Sequence, residues 1–318
     1  DDPDNNIRYI GADPSNYVYF NCSDYSNQSD STCEKWRIIG VFKNVTKEDG
    51  TKEDLVKIIK EDKTNNLYAK NLSAKWDYKQ TGIGTSTTNY GSNDWTDSQL
   101  MMMLNPTDYL KEGYKIEDNI IKDSNGQEIY QNMGSYYNGT SGCLPVSITS
   151  GSSFSCTSID FTSTGLKNDS TRNAIESVVW NLGGLNSPGN TTSTFYNAER
   201  GNTVSSGHAT TWTGKIGLMY PSDYGYATAG GTTTNRATCM TTTLFEWDGS
   251  GVSDCYNNDY LYKSSYWQCT LTPYSSYPHL VFNVNLKFHS QFSSYVDSTY
   301  EIRPTVYLKS SVLISSGE

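Results

Sequence analysis

Paired carboxylates are the side chains of this sequence that could most directly do chemistry. They lie on predicted loops or helix starts: Asp94 with Asp97, Asp223, Glu246 with Asp248, and Asp254 with Asp259. Two carboxyl groups on either side of a glycosidic bond can act as general acid and as base or nucleophile. Acidic residues at turns and helix N-termini are also ordinary caps. The carboxylates therefore support a secreted hydrolase only as the last of three functional hypotheses.

Histidine and calcium sites have weaker patterns. His208, His279 and His289 have no spacing that suits a metal, so the sequence predicts no zinc site. No G-x-S-x-G segment marks a nucleophile elbow between a strand and a helix. His208 is predicted to lie on an exposed loop. Calcium takes several oxygen ligands, and the Asp- and Asn-rich segments 1–6, 92–97 and 254–259 leave a calcium site open.

Six of the seven cysteines form three local couples: Cys22 with Cys33, Cys143 with Cys156, and Cys239 with Cys255. Closing a loop of about 15 residues removes roughly 3 kcal/mol of unfolded-state entropy. We predict these three disulfides over other pairings, and they favour an extracellular over a cytosolic location. Cys269 is left over and is predicted to be a buried thiol, with an intermolecular bridge or a nucleophile as the alternatives.

The composition of the sequence limits the kinds of partner that the protein can bind. The 318 residues carry a formal net charge of -10, which works against binding to nucleic acid or to an anionic membrane surface. No apolar run approaches the length of a transmembrane helix. The polar start at residues 1–6, without Met, is typical of a chain whose leader has been removed. We expect an extracellular protein with no nucleic-acid partner and no transmembrane segment.

Strands are predicted at both ends of the chain. Residues 17–20 and 36–42 are aromatic and β-branched, and 55–60 continue the pattern after the turn signal at 48–50. We predict that 36–42 and 55–60 form a hairpin that pairs with a late C-terminal strand, and their apolar runs favour central positions in a sheet. Later strand candidates are 216–220, 280–285 and 302–308, separated by long loops. Loops of that length in a compact domain are usually functional or extensively self-packed.

Two helices are predicted between these strands. Thr96 and Gln99 have capping-box spacing, and apolar residues at 100, 103 and 104 follow until 105–106. A second helix is predicted from 168–170, with apolar residues at 175, 178, 179 and 182 on one face and an end at 183–184. Residues 115–156 contain few apolar side chains and are predicted to be a loop region pinned by the second disulfide.

Aromatic residues are dense on the polar loops, with 25 Tyr and 7 Trp in the chain. Tyr and Trp, together with Ser, Gly and Asn, are the residue mix of antibody paratopes and sugar-binding surfaces. In a sequence with few Leu they also fill the core. Each aromatic residue therefore needs its burial to be known before it can be assigned to a binding surface.

Five blocks carry a resemblance that spans nearly the whole chain: WRIIGV at 36–41, WTDSQLMMMLNP at 95–106, CTSIDFTSTGL at 156–166, WTGKIGLMYPSDYGYA at 212–227 and IRPTVYLKSSV at 302–312. They resemble a family of Firmicutes cell-surface proteins of unassigned function, often preceded by a prepilin-type or signal-peptide leader. That family is similar to the C-type-lectin-like fold of formylglycine-generating enzymes. The closing motifs depart from that fold at Thr270, where Arg is expected, and at 301–302. The enzyme's active-site cysteine pair is not supported, because only Cys269 would be free.

The resemblance implies a single α+β domain over residues 1–318. It would have a small, twisted, mostly antiparallel sheet, two helices and long ordered loops. In that arrangement, loops between the helices and the C-terminal strands contact the ligand. The candidate anchors, which must expose part of their rings, are Trp212, Tyr224, Tyr226, Tyr266, Trp267 and Tyr274. The first functional hypothesis is a non-catalytic adhesive or ligand-binding module for a glycan or host protein, and the second is a subunit of a surface filament.

Overall fold

The computed structural model covers most of the two ends of the chain and parts of its middle. It describes residues 2–63, 74–77, 91–105, 115–117, 120–122, 128–131, 137–139, 141–147, 155–160, 165–285 and 290–312.

Eighteen short strands and six short α-helices are described. The strands are β1 (Ile7–Arg8), β2 (Tyr17–Phe20), β3 (Glu34–Thr46), β4 (Lys52–Lys60), β5 (Ala74–Lys75), β6 (Lys115–Glu117), β7 (Ile120–Lys122), β8 (Glu128–Gln131), β9 (Ser141–Ser147), β10 (Ser155–Asp160), β11 (Val178–Asn181), β12 (Thr211–Gly214), β13 (Ile216–Gly217), β14 (Gln268–Pro273), β15 (Leu280–Asn285), β16 (Ser290–Tyr295), β17 (Thr299–Tyr300) and β18 (Thr305–Leu308). The helices are α1 (Gln99–Leu104), α2 (Asp169–Ala174), α3 (Thr192–Glu199), α4 (Pro221–Ala227), α5 (Arg236–Thr241) and α6 (Asp254–Asn257).

The central sheet has six strands drawn from both ends of the chain. Its order is β1-β3-β4-β18-β13, and β2 lies beside β1 along the same edge of β3. Each of these pairings is antiparallel. The predicted hairpin, its central position and its pairing with a C-terminal strand are therefore confirmed. A mixed α and β fold with mostly antiparallel sheets is also confirmed, while the C-type-lectin-like arrangement stays a prediction.

Gly40 allows β1 to approach β3. A Cβ atom at this position would lie 2.1 Å from the carbonyl oxygen of Ile7. Ile7 pairs with Val41, and Arg8 pairs with Gly40 itself. Any larger residue at 40 would push away the strand that carries Arg8.

The second predicted helix is wrong beyond its first turns. Helix α2 ends at Ala174, and the following residues form β11, which pairs with β12. Val178 and Trp180 are buried, while Val179 and Asn181 are half-buried. This alternation has the period of a strand, and the β-branched residues 175, 178 and 179 satisfy helical spacing only by coincidence. The first helix is confirmed, although it starts at Gln99, with Ser98 as the N-cap that accepts from the N–H of Met101.

The prediction of two helices is also wrong, since α3, α4, α5 and α6 lie outside the segments identified from the sequence. The predicted loop region at 115–156 contains β6, β7, β8, β9 and the start of β10. The first three form one antiparallel sheet, and β9 pairs with β10. These strands contain short β-branched pairs such as Ile120 with Ile121. They carry too few apolar residues to be recognised by periodicity.

Two of the three predicted disulfides are confirmed. Cys22 is bonded to Cys33, and Cys239 is bonded to Cys255. The side chains of the third pair, Cys143 and Cys156, lie outside the described residues, so that bond stays a prediction. Cys269 is a free, buried thiol, and burial raises its pKa well above the ordinary value. The prediction of a buried thiol at this position is therefore confirmed.

Aromatic residues fill much of the core. The fully buried indoles are Trp36, Trp76, Trp95, Trp180 and Trp247. Helix α4 is buried at every position and packs against α3. Gly225 permits that contact, because a Cβ there would lie 2.3 Å from Oγ1 of Thr192. Most tryptophans thus belong to the interior of the protein and not to its surface.

Candidate ligand-binding surface

Four of the six predicted anchors are buried, and the prediction of an exposed surface is wrong for them. They are Tyr224, Tyr226, Tyr266 and Tyr274. Trp212 and Trp267 are half-buried and retain some exposure. Because a ligand can contact only accessible ring atoms, the six residues do not form the binding surface expected from the sequence.

The anchors also lie in separate environments. Tyr224 packs on Trp247, and the ring of Tyr226 faces Arg8. Tyr266 donates a hydrogen bond to Asp62. Helix α4 explains the first two, since it is enclosed on all sides and leaves neither tyrosine a path to solvent. Trp212 lies opposite Trp180 in the β11–β12 pair and contacts the edge of Trp95.

Tyr274 is buried, but its ring belongs to a row of aromatic side chains that reaches an exposed surface. Its ring stacks on Phe282 at 5.3 Å, measured between centroids, and lies 5.4 Å from the ring of Tyr277. Tyr277 is followed at 6.1 Å by His279, on which Tyr295 stacks at 5.5 Å. We call Tyr274, Tyr277, His279 and Tyr295 the aromatic ladder. Tyr277 is 49% exposed and Tyr295 is 43% exposed, while His279 between them is only 6% exposed.

Hydrogen bonds hold the loop between β14 and β15 in place. The side-chain amide of Asn93 donates to the carbonyl oxygens of Tyr274, Tyr277 and Leu280. Asn93 is itself buried, and its N–H donates to the carbonyl oxygen of Pro278. The exposed ring of Tyr277 is therefore carried by a loop whose backbone is fixed from beneath. A fixed aromatic side chain loses little entropy when it binds a ligand.

The pairing of β16 with β15 places Tyr295 in the ladder. It lies at the end of β16, opposite Leu280 at the start of β15. The N–H of Val296 donates to the carbonyl oxygen of His279, and this hydrogen bond fixes the backbone that follows Tyr295. Tyr295 is not among the predicted anchors, since the sequence predicts only β15 of this hairpin. Residues 290–295 read SQFSSY, and the spacing of Phe292 and Tyr295 does not have the period of a strand.

His279 is neutral at physiological pH. Burial lowers its pKa below the ordinary value, and the charge of Asp297 only partly opposes this shift. The imidazole meets the Tyr277 ring edge-on and stacks on the Tyr295 ring, so the three rings form one amphipathic surface. The charge of Asp297 acts on His279, so a carboxylate lies close to these rings. This arrangement can stack on an apolar ligand face and hydrogen-bond its edge.

Asp223, one of the candidate carboxylates, lies inside the protein. It accepts hydrogen bonds from Lys57, Arg8 and the N–H of Tyr220. Burial opposes its ionisation, but the charges of Lys57 and Arg8 outweigh this and hold its pKa at about 2. The carboxylate is therefore ionised, fully paired and inaccessible.

A second buried carboxylate bonds to Ser222, the residue that precedes Asp223. Glu199 accepts hydrogen bonds from the N–H and the hydroxyl of Ser222, and burial raises its pKa to about 7. A carboxyl pair with such different pKa values is typical of acid and base roles in catalysis. Both groups are completely buried, however, so neither can reach a substrate from solvent.

Three of the remaining candidate carboxylates are also engaged in local hydrogen bonds. Asp94 accepts from the N–H of Thr96, and Glu246 accepts from the hydroxyl of Thr243. Asp254 accepts from the N–H groups of Thr233 and Thr234. Within the described part of the chain, no three His, Cys, Asp or Glu side chains cluster as a metal site requires.

His208 is half-buried, so its predicted exposure is wrong. Its Nε2 lies 3.4 Å from the hydroxyl oxygen of Ser92. His289 lies outside the described residues. Among the described helices, none has the length and apolar character needed to cross a membrane.

Comparisons with protein-family models, with curated proteins and with solved structures find no match for this chain. The function must therefore be argued from the geometry of the described residues.

Proposed function

We propose that this chain is an extracellular, non-catalytic ligand-binding module that holds a glycan against the aromatic ladder. The main observation behind this proposal is that two half-exposed rings, Tyr277 and Tyr295, lie on either side of the buried His279. Large aromatic side chains whose positions are fixed before binding are typical of binding hot spots. The other anchors inferred from the sequence have less accessible ring area.

A glycan fits this surface better than a charged ligand does. Sugar rings present apolar C–H faces that stack on aromatic rings and hydroxyl groups that bond to polar neighbours. Burial lowers the pKa of His279, which favours the uncharged imidazole between the two tyrosines. A protein ligand that inserts an apolar side chain between the tyrosines is the alternative outcome of the test.

An extracellular location is supported by the disulfides. The bonds Cys22–Cys33 and Cys239–Cys255 close polar loops, and such bonds persist in oxidising compartments. The mostly antiparallel mixed fold is compatible with the proposed membership in the Firmicutes surface family. Its C-type-lectin-like arrangement is part of the same proposal and rests on the sequence motifs alone.

We propose that the protein is not catalytic because its buried carboxylates are hydrogen-bonded within the protein. Asp223 and Glu199 would be the natural acid and base pair, since their pKa values are about 2 and about 7. Their hydrogen bonds to Lys57, Arg8 and Ser222 account for both carboxyl groups without a substrate. A structural role in holding β1, β4, α3 and α4 together explains them fully.

A glycan array tests the proposal. The whole chain, fluorescently labelled, is applied beside its Tyr277→Ala and Tyr9→Ala variants. Tyr9 is a matched control, because it is 39% exposed and lies far from the ladder in sequence. We expect a restricted set of glycans to retain the wild type and the Tyr9 variant and to lose the Tyr277 variant. Retention of all three, or of none, would contradict glycan binding at the ladder.

A filament subunit is the second candidate, and one observation favours it. Strands β1 and β2 form an outer edge of the central sheet, and Ile7, Tyr9, Ile10 and Tyr17 are exposed along this segment. Ile7 is 62% exposed, and an apolar edge strand can pair with a neighbouring copy. Sedimentation at high protein concentration decides between the two. Assembly that is lost in Ile7→Lys would support the filament, whereas a strict monomer would count against it.

A further inference from the structure

A small cavity lies away from the ladder, between the N-terminal turn, the end of β3, β11 and the end of α3. Its volume is about 170 Å³, and it is lined by Asp4, Asn6, Phe42, Lys43, Asn44, Val45, Thr46, Val179, Trp180, Asn181, Tyr196, Arg200, Tyr220 and Tyr307. A space of this size holds several water molecules or one compact ligand.

The floor of the cavity is rigid. Four of its rings, Phe42, Trp180, Tyr220 and Tyr307, also surround the buried ammonium group of Lys57, with Nζ between 4.5 and 5.5 Å from their centroids. The ammonium is held in turn by Asp223. Cation–π contacts and the buried ion pair thus fix the rings from below. A ligand would meet a preformed surface.

Arg200 is fixed at the wall of the cavity and still has hydrogen-bonding capacity. Its guanidinium carbon lies 3.3 Å from the centroid of the Tyr196 ring, and its Nη1 donates to the carbonyl oxygen of Tyr196. Its Nε lies 3.6 Å from Oδ2 of Asp4. Within the described part of the chain, Nη2 donates to no protein acceptor. Arg200 and Asp4 therefore form an adjacent donor and acceptor at the cavity.

Three further polar side chains line the same space without partners. In the described ranges, the amides of Asn44 and Asn181 and the hydroxyl of Thr46 make no hydrogen bond within the protein. Amide and hydroxyl groups both donate and accept. Together with Arg200 and Asp4 they offer mixed donors and acceptors, which match the hydroxyl groups of a ligand.

The cationic side chains beside the cavity are each paired with carboxylates. Lys43 is paired with Asp54 at 2.7 Å, and Arg200 is flanked by Asp4 and Glu199. An anionic ligand would meet these carboxylates, and a cationic one would meet the guanidinium. From the size, the rigid aromatic floor and the neutral set of hydrogen-bonding groups, we infer that the cavity binds one neutral, polyhydroxylated molecule the size of a single sugar residue. This site is separate from the ladder and does not depend on the proposed function.

Saturation-transfer NMR on the whole chain tests the inference. The probes are glucose, galactose, mannose and N-acetylglucosamine, with gluconate as an anionic counterpart. We expect transfer to at least one neutral sugar. Asn181→Ala and Thr46→Val should each weaken its binding about fivefold, because each removes one hydrogen bond to a neutral group. The matched controls are Asn202→Ala and Thr232→Val, since both residues are exposed and make no side-chain hydrogen bond in the described structure.

Several outcomes would overturn the inference. Transfer to none of the four sugars, or to gluconate alone, would show that the cavity does not select neutral hydroxyl groups. Equal binding by the wild type and both cavity variants would place the sugar elsewhere. Binding that is lost in Tyr277→Ala but kept in Asn181→Ala would assign the sugar to the ladder. That last result would support the proposed function while removing the cavity site, so failure of the two proposals can be told apart.

Discussion

Nζ of Lys57 donates a hydrogen bond to Oδ2 of Asp223 over 2.5 Å, and both side chains are completely buried. The same carboxylate accepts from Nη1 of Arg8 at 3.0 Å. Asp223 lies in the first turn of α4, Lys57 in β4 and Arg8 in β1. One carboxyl group therefore joins a buried helix to two strands of the central sheet.

We predict that Asp223→Asn lowers the free energy of unfolding by about 3–5 kcal/mol, because it leaves two buried cations without their shared counter-charge. Lys57→Met should cost less. In that variant Asp223 keeps Arg8 and the N–H of Tyr220, and a Met side chain fits the aromatic surroundings of Lys57. Urea unfolding of the three proteins measures the difference.

Asp248→Asn is the control for this comparison, since Asp248 is exposed and its loss should change stability by less than about 0.5 kcal/mol. If Asp223→Asn behaved like this control, the buried network would not hold the fold together. A larger cost for Lys57→Met than for Asp223→Asn would show that the ion pair is not organised around the carboxylate.

Glu199 should make stability depend on pH. Burial raises the pKa of this carboxyl from 4.5 to about 7 in the folded protein, so the folded state holds a proton that the unfolded chain releases. Its contribution is complete below about pH 4.5 and is lost as the pH rises through 7. The expected loss is of the order of 3 kcal/mol. Glu199→Gln removes this dependence, and urea unfolding across that window measures it.

Burial also lowers the pKa of His279 and raises the pKa of Asp297, so the comparison with the variant is essential. Only the difference between wild type and Glu199→Gln reports on Glu199. Parallel pH profiles for the two proteins would show that the Glu199 carboxyl is not buried as a protonated group.

The disulfides provide a third prediction. Cys239 and Cys255 close a loop of 16 residues, so the double Ser variant should lose about 3 kcal/mol of stability. Peptide mapping without reduction should recover this bond, Cys22–Cys33 and the predicted Cys143–Cys156. A crossed pairing, or free thiols in protein made under oxidising conditions, would refute the pairing and weaken the extracellular argument.

The central sheet could be predicted from the sequence because its strands carry continuous apolar runs. Residues 36–42 and 55–60 are recognisable for this reason, and they pair as expected. Helix α4 could not be predicted, since Ser222, Asp223 and Gly225 read as a polar loop. Its burial depends on the partners of Asp223 and on the space left by Gly225, which come from β1, β4 and α3.

The aromatic ladder that we propose as a ligand-binding surface could not be predicted from the sequence. Tyr274 is a predicted anchor, yet it is buried against Tyr277, which is exposed. Sequence patterns show that aromatic residues are dense here, but not which ring covers which. That order depends on the register of β15 with β16 and on the contacts of Asn93 with the loop.

Calorimetric titration of the best glycan from the array is the most direct test of the central claim. Tyr277→Ala and Tyr295→Ala should each weaken binding by about 2 kcal/mol, roughly thirtyfold, while thermal unfolding stays unchanged because both rings are half exposed. Tyr9→Ala, which removes a similarly exposed ring, should bind as the wild type does. Equal affinity in all four proteins would contradict the assignment of the ladder as the ligand-binding surface.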